Sequence, residues 1–150
     1  MIKVYRKTAT IKAEQFDGSE EMIDKYHVRC DTEYMFSDDQ LEYSMGPYQI
    51  ETLEGFLNIG VGDWIATGVN GEHWPIADDV FKQTYVELPV IPKDVAYIIK
   101  QAKKGDYKLG WVFNATYLGI WRVSVGNWIR THADVFARAW LDGYVVEEEK

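Results

Sequence analysis

One cysteine, Cys30, serves a chain of 150 residues. No disulfide can form within the chain, and a reducing cytoplasm is the expected setting. No run approaches the roughly 18 apolar residues of a membrane span. The start, Met1-Ile2-Lys3-Val4-Tyr5-Arg6-Lys7, lacks the apolar stretch of a signal peptide. A basic excess is missing too, since 16 Lys+Arg stand against 24 Asp+Glu for a net charge of −8. Residues 1–88 hold 7 against 17 (−10), and residues 89–150 hold 9 against 7 (+2). Direct binding of duplex nucleic acid is therefore not expected. The acidic half either faces a basic partner or keeps the protein in solution.

Catalytic signatures are scarce. There is no Gly-rich phosphate loop, no dinucleotide fingerprint and no serine nucleophile elbow. Cys30 has only His27 close in sequence, and a lone thiol is the commoner reading of such a pair. His27, His73 and His132 are too scattered for a closed zinc site. No enzyme, no cofactor and no metal are expected.

Apolar residues, by contrast, make up 47% of the chain, enough for a core in one domain or two small ones. Six Trp and ten Tyr bring aromatic content to 15%. Such rings fill cores, and they also stack nucleobases. Composition does not separate the two roles.

One stretch occurs twice. Residues 52–67, TLEGFLNIGVGDWIAT, align without a gap on residues 116–131, TYLGIWRVSVGNWIRT, with seven of sixteen positions identical. After nine extra residues in the first copy, Asp79-Val80-Phe81 matches Asp134-Val135-Phe136. The repeat predicts α+β architecture in two related modules, each a helix plus a small antiparallel meander. The first is an acidic module over 1–88 with an extra hairpin at 68–76. A Pro-rich linker follows over 89–92, Pro89 to Pro92, and the second module covers 93–150.

Within this frame, Val4 to Phe16 predicts a strand ending at Asp17-Gly18. Ser19 predicts an N-cap for a helix reaching His27, and residues 31–48 predict loop or an irregular hairpin. Gln49 to Leu53 and Phe56 to Ile59 pair around Glu54-Gly55, and Gly62-Asp63 turns into a strand from Trp64 to Val69. Asn70-Gly71 marks a hairpin returning through His73-Trp74-Pro75-Ile76. Asp78 or Asp79 caps a helical turn bearing Phe81 and Tyr85. Asp94 to Lys104 is the clearest helix, with Val95, Ile98, Ile99 and Ala102 on one face and Gly105 closing it. Asp134 to Asp142 is helical, and Tyr144-Val145-Val146 is a last strand.

The shared residues suit the fold: Gly62 and Gly126 as turns, Trp64 and Trp128 as core anchors, Asp79 and Asp134 as caps. The differences suit function. Arg122, Arg130 and Arg138 stand where copy one has Asn58, Ala66 and Gln83. On predicted neighbouring strands beside Trp111, Trp121 and Trp128, they form a candidate ligand site in which a ring stacks a base and a guanidinium holds a phosphate. The alternative is that the arginines pair with the acidic half. In copy one, Asn70, His73 and Trp74 form a candidate partner-contact arm, or simply close the sheet.

The first half resembles a small protein family common in phages of Gram-positive bacteria, through Tyr5-Arg6-Lys7, Ile11 to Gly18, Thr52-Leu53-Glu54-Gly55, Gly62-Asp63-Trp64-Ile65, Gly68 to Glu72 and Asp79 to Tyr85. That likeness spans about residues 1–87 and implies no activity. The second half, ending Ala137-Arg138-Ala139-Trp140-Leu141-Asp142-Gly143-Tyr144, is similar to another uncharacterised phage domain. It also bears a fainter likeness to phage sponge proteins that counter Thoeris defence by sequestering a cyclic ADP-ribose-type signal, through Lys104-Gly105, Gly110-Trp111, Trp128-Ile129, Thr131, Asp134, Ala137 and Trp140. Trp111 and Trp128 are closer together here than in that family, and Arg130 replaces a small residue.

The resemblances imply a phage anti-defence protein in the host cytoplasm that acts by binding. Its partner is a nucleotide-derived signal, of cyclic ADP-ribose or cyclic oligonucleotide type, or else a host defence protein such as a CRISPR nuclease met by the acidic half. A homo-oligomer is compatible with either, and no membrane partner is implied.

Overall fold

A computed structural model describes residues 1–30 and 47–148, so the expected loop or hairpin over 31–48 lies, up to Gly46, outside the described residues. The fold is α+β, as the sequence predicts. Two compact units divide it, Met1–Val86 and Glu87–Lys150.

In the first unit the regular part of the first predicted strand is short, β1 (Lys12–Gln15). Ser19 caps α1 (Glu20–Tyr26) by accepting the Met22 N–H at 3.3 Å, and His27 ends the helix in the left-handed region at φ 52°. Then come β2 (Arg29–Cys30), β3 (Tyr48–Thr52), β4 (Gly55–Ile59), β5 (Trp64–Thr67), β6 (His73–Ile76) and α2 (Asp78–Thr84). Two antiparallel sheets result, ordered β1-β5-β6 and β2-β3-β4. The turn between β4 and β5 is fixed twice over. Gly62 sits at φ +100°, and the Asp63 carboxylate accepts the Gly60 N–H at 2.8 Å. Phe16, Ile50, Ile59 and Ile65 are almost completely buried and centre the core. Each such side chain contributes about 1.5–3 kcal/mol through burial.

The second unit departs from expectation. It contains β7 (Val90–Ile91), α3 (Lys93–Lys104), α4 (Leu109–Tyr117), α5 (Val123–Thr131), α6 (Ala133–Asp142) and β8 (Val145–Val146). Among its described residues the expected meander is absent, because the second copy of the repeat is mostly helical. Buried residues of the unit have the helical period: Val112, Ala115 and Thr116, then Val125 and Ile129, then Phe136 and Ala139 recur within their helices at steps of three and four, with Ala115 and Thr116 adjacent. Gly126 lies inside α5 and makes no turn, whereas its counterpart Gly62 does.

The expected linker is also structured. Val90–Ile91 pairs in parallel with Val145–Val146; the Pro89 carbonyl accepts the Val145 N–H, and the Ile91 carbonyl accepts the Glu147 N–H. Prolines tolerate this because only carbonyls are asked of Pro89, while Pro92 becomes the N-cap of α3. Asp79 and Asp134 are first-turn residues, the N-caps being Ala77 and His132, and they act on the helix dipole instead. Trp64 and Trp128 are only partly buried, so neither is a core centre. Among the described residues no helix is long and apolar enough to cross a membrane.

Candidate functional site

Helix α3 buries Val95, Ile99 and Ala102 and leaves its other side outward. Tyr97 falls outside the apolar stripe, and 61% of it is exposed. Facing this helix, the segment from Ile120 to Val125 turns from loop into α5. Between them lies a pocket of about 370 Å³, lined by Asp94, Tyr97, Ile98, Ile120, Trp121, Arg122 and Val125. Asp94 is in the first turn of α3, and Arg122 is the N-cap of α5. Neither helix has a side-chain cap at this end. Helix beginnings leave N–H groups without intrahelical partners and carry the positive end of the dipole. Two of them flank the pocket.

Trp121 is fixed from behind. Its indole N–H donates to the Thr116 hydroxyl at 3.0 Å, and that hydroxyl donates to the Val112 carbonyl at 2.9 Å. Thr116 is only 1% exposed, so its bond to Val112 is sheltered from water, and the bond from Trp121 is partly so. Arg130 donates to the Thr116 carbonyl at 3.0 Å, tying α5 to the end of α4. Arg122 differs: among the described residues no hydrogen bond, ion pair or ring contact engages its guanidinium. It is exposed at the pocket rim.

The structure thus sorts the six predicted ligand residues. Trp121 and Arg122 line the pocket. Trp111 stands behind it, edge-on to Trp121 with ring centroids 6.2 Å apart, and stacks on Tyr107 at 4.1 Å. Trp128 stacks on His132 at 4.5 Å and does not line the pocket. Arg130 makes the bond to Thr116, and Arg138 lies exposed on α6. Arg122 and Arg130 do not sit on neighbouring strands, as the meander implied; they begin and end one helix. Sequence reasoning missed Asp94 and Tyr97. The available signal was an aromatic outside the stripe of an amphipathic helix.

In the first unit, the predicted arm is mostly sheet. His73 and Trp74 belong to β6, paired with Thr67 and Ala66 of β5. The His73 Nδ1 lies 2.9 Å from the Thr67 hydroxyl, and its ring meets the Tyr26 ring edge at 5.2 Å. Lys7 covers the Trp74 ring at 5.2 Å. Asn70 is exposed in the turn. Nearby, Glu14 accepts from Lys25 at 2.7 Å and from the Tyr26 hydroxyl at 2.6 Å. These bonds hold its carboxyl below the usual range. Burial, then the bond to Glu14, pushes the Tyr26 phenol up.

Residues 86–150 match a family described only as a protein of unknown function, DUF1642. The match covers the unit that carries the pocket. No curated protein and no solved structure matches the chain.

Proposed function

We propose that the protein acts by binding, without catalysis, and that its second unit takes a nucleotide-class ligand in the pocket between α3 and α5. The observation that carries this reading is the guanidinium of Arg122, left unengaged at the rim of a pocket walled by Tyr97 and Trp121. An aromatic wall accepts the flat face of a base, and the fork of an arginine accepts phosphate oxygens. The two helix beginnings add N–H donors of the same sign. Phage anti-defence, by sequestering a cyclic ADP-ribose or cyclic oligonucleotide type of signal in the host cytoplasm, is the role we attach to this binding. It rests on the sequence likenesses to phage families.

The test is a thermal-shift screen of the full chain against ADP-ribose isomers, cyclic dinucleotides and cyclic trinucleotides. A ligand at 100 times its Kd stabilises the native state by about 2.7 kcal/mol. For a unit of this size that raises Tm by roughly 4–8 °C per kcal/mol. The rise is expected to vanish in Arg122→Ala and to persist in Arg130→Ala, whose bond is internal. No shift with any compound would sink the pocket reading.

A second reading has its own observation: the net charge of −10 over residues 1–88. Such a surface suits the basic, nucleic-acid-binding face of a host nuclease. Its signature is capture of that nuclease from lysate at low salt and loss at high salt.

A further inference from the structure

We infer that the ligand of this pocket carries two nucleobases joined through phosphate, and that Tyr107 and Trp111 form the platform for the second base. The inference rests on the pocket reading above. Trp121 belongs to the pocket wall and to an aromatic track that leaves it. From Trp121 the track passes to Trp111 and then to Tyr107, the last two lying nearly parallel at 22°.

Buried aromatic pairs serve the core, but these rings remain open: Trp111 is 40% exposed and Tyr107 48%. Gly105 makes room for Tyr107, because a Cβ there would lie 2.8 Å from the ring. The platform therefore ends at the last turn of α3, while the pocket lies at the first. A basic stripe links the same two points. Tyr97, Lys100 and Lys104 share one face of α3 at i, i+3 and i+7. The rise from Tyr97 to Lys104 is roughly 10 Å. Both lysines are exposed, and among the described residues neither makes an ion pair.

A mononucleotide would use only the pocket. Two bases bridged by phosphate would use the pocket, the stripe and the platform together, since stacking tolerates any base and the lysines attract the linkage. Cyclic and linear dinucleotides share this chemistry.

The experiment measures affinity of the full chain for AMP, linear pApA and cyclic di-AMP by calorimetry. Both dinucleotides, or the one whose geometry fits, are expected to bind about tenfold or more tighter than AMP. Tyr107→Ala, which does not touch the pocket wall, should erase that gain and leave the AMP affinity unchanged; Trp111→Ala should erase it too. The exposed Tyr107 provides the safer variant should Trp111→Ala unfold. Equal affinities for AMP and both dinucleotides would overturn the two-base inference while leaving the pocket standing. So would a gain that survives Tyr107→Ala. Binding of none of the three would overturn the two-base inference, and it would overturn the pocket reading as well if the ADP-ribose isomers and cyclic trinucleotides also fail to bind.

Discussion

Two arginines eight positions apart on one helix show how little residue type says about role. Arg130 spends its guanidinium on the Thr116 carbonyl, whereas Arg122 has none of its donors engaged among the described residues. Thr116 is the residue on which this arrangement turns. Its hydroxyl accepts from Trp121 and donates to Val112 in a site almost closed to water. Thr116→Val keeps the shape and strands the indole N–H, a loss of about 1–3 kcal/mol. Thr116→Ser keeps the hydroxyl and is expected to lose clearly less. Denaturant unfolding of both variants, followed by tryptophan emission, checks the difference; equal losses would mean that the methyl, not the hydrogen bond, matters. Tyr97 escaped sequence reading for a related reason. Its pattern marked it as outside the core, and only the fold puts Trp121 and Arg122 across from it.

Elements set by local chemistry were legible. The stripe of Val95, Ile98, Ile99 and Ala102 gave α3 to within a residue, Ser19 gave the start of α1, and Asn70-Gly71 gave the β5–β6 hairpin. The second copy of the repeat was not legible from its likeness to the first. Copy one turns at Gly60-Val61-Gly62-Asp63, where a positive φ and a carboxylate cap cooperate. Copy two has Ser124-Val125-Gly126-Asn127, without the first glycine or the carboxylate, and the helical spacing of Val125 and Ile129 prevails. Shared letters preserved neither the turn nor the sheet. The same scale governs Gly105, whose φ of −85° asks nothing special of its backbone. Gly105→Ala should therefore act through space alone, moving Tyr107 off Trp111. The expected cost is about 0.5–1.5 kcal/mol, the worth of an aromatic pair. Near-UV circular dichroism should change with it; an unchanged spectrum and melt would show that the ring does not rest there.

At the scale of the whole molecule, acid is expected to act on the first unit. Bonds from Lys25 and Tyr26 hold Glu14 low, bonds from Ser19 hold Asp17 low, and bonds from Lys82 and Trp64 hold Asp78 low. A carboxyl lowered in the folded state binds its proton more readily once unfolded. Its stabilisation is complete above the unfolded pKa, near 4, and disappears as pH falls through the lower folded value. Protection of the β1 and β5 amides, the intrinsic exchange rate at each pH relative to the observed one, should fall between about pH 5 and pH 2. Glu14→Gln with Asp78→Asn should flatten that slope; a slope as steep as that of the parent would show that other groups set it. The second unit holds a consequence of another kind in its two-residue strands. Because β7 and β8 lie side by side and run parallel, the chain enters the unit and leaves it in the same direction, along neighbouring lines. Ends drawn apart would load the β7–β8 hydrogen bonds in shear, all at once, rather than unzip them one by one.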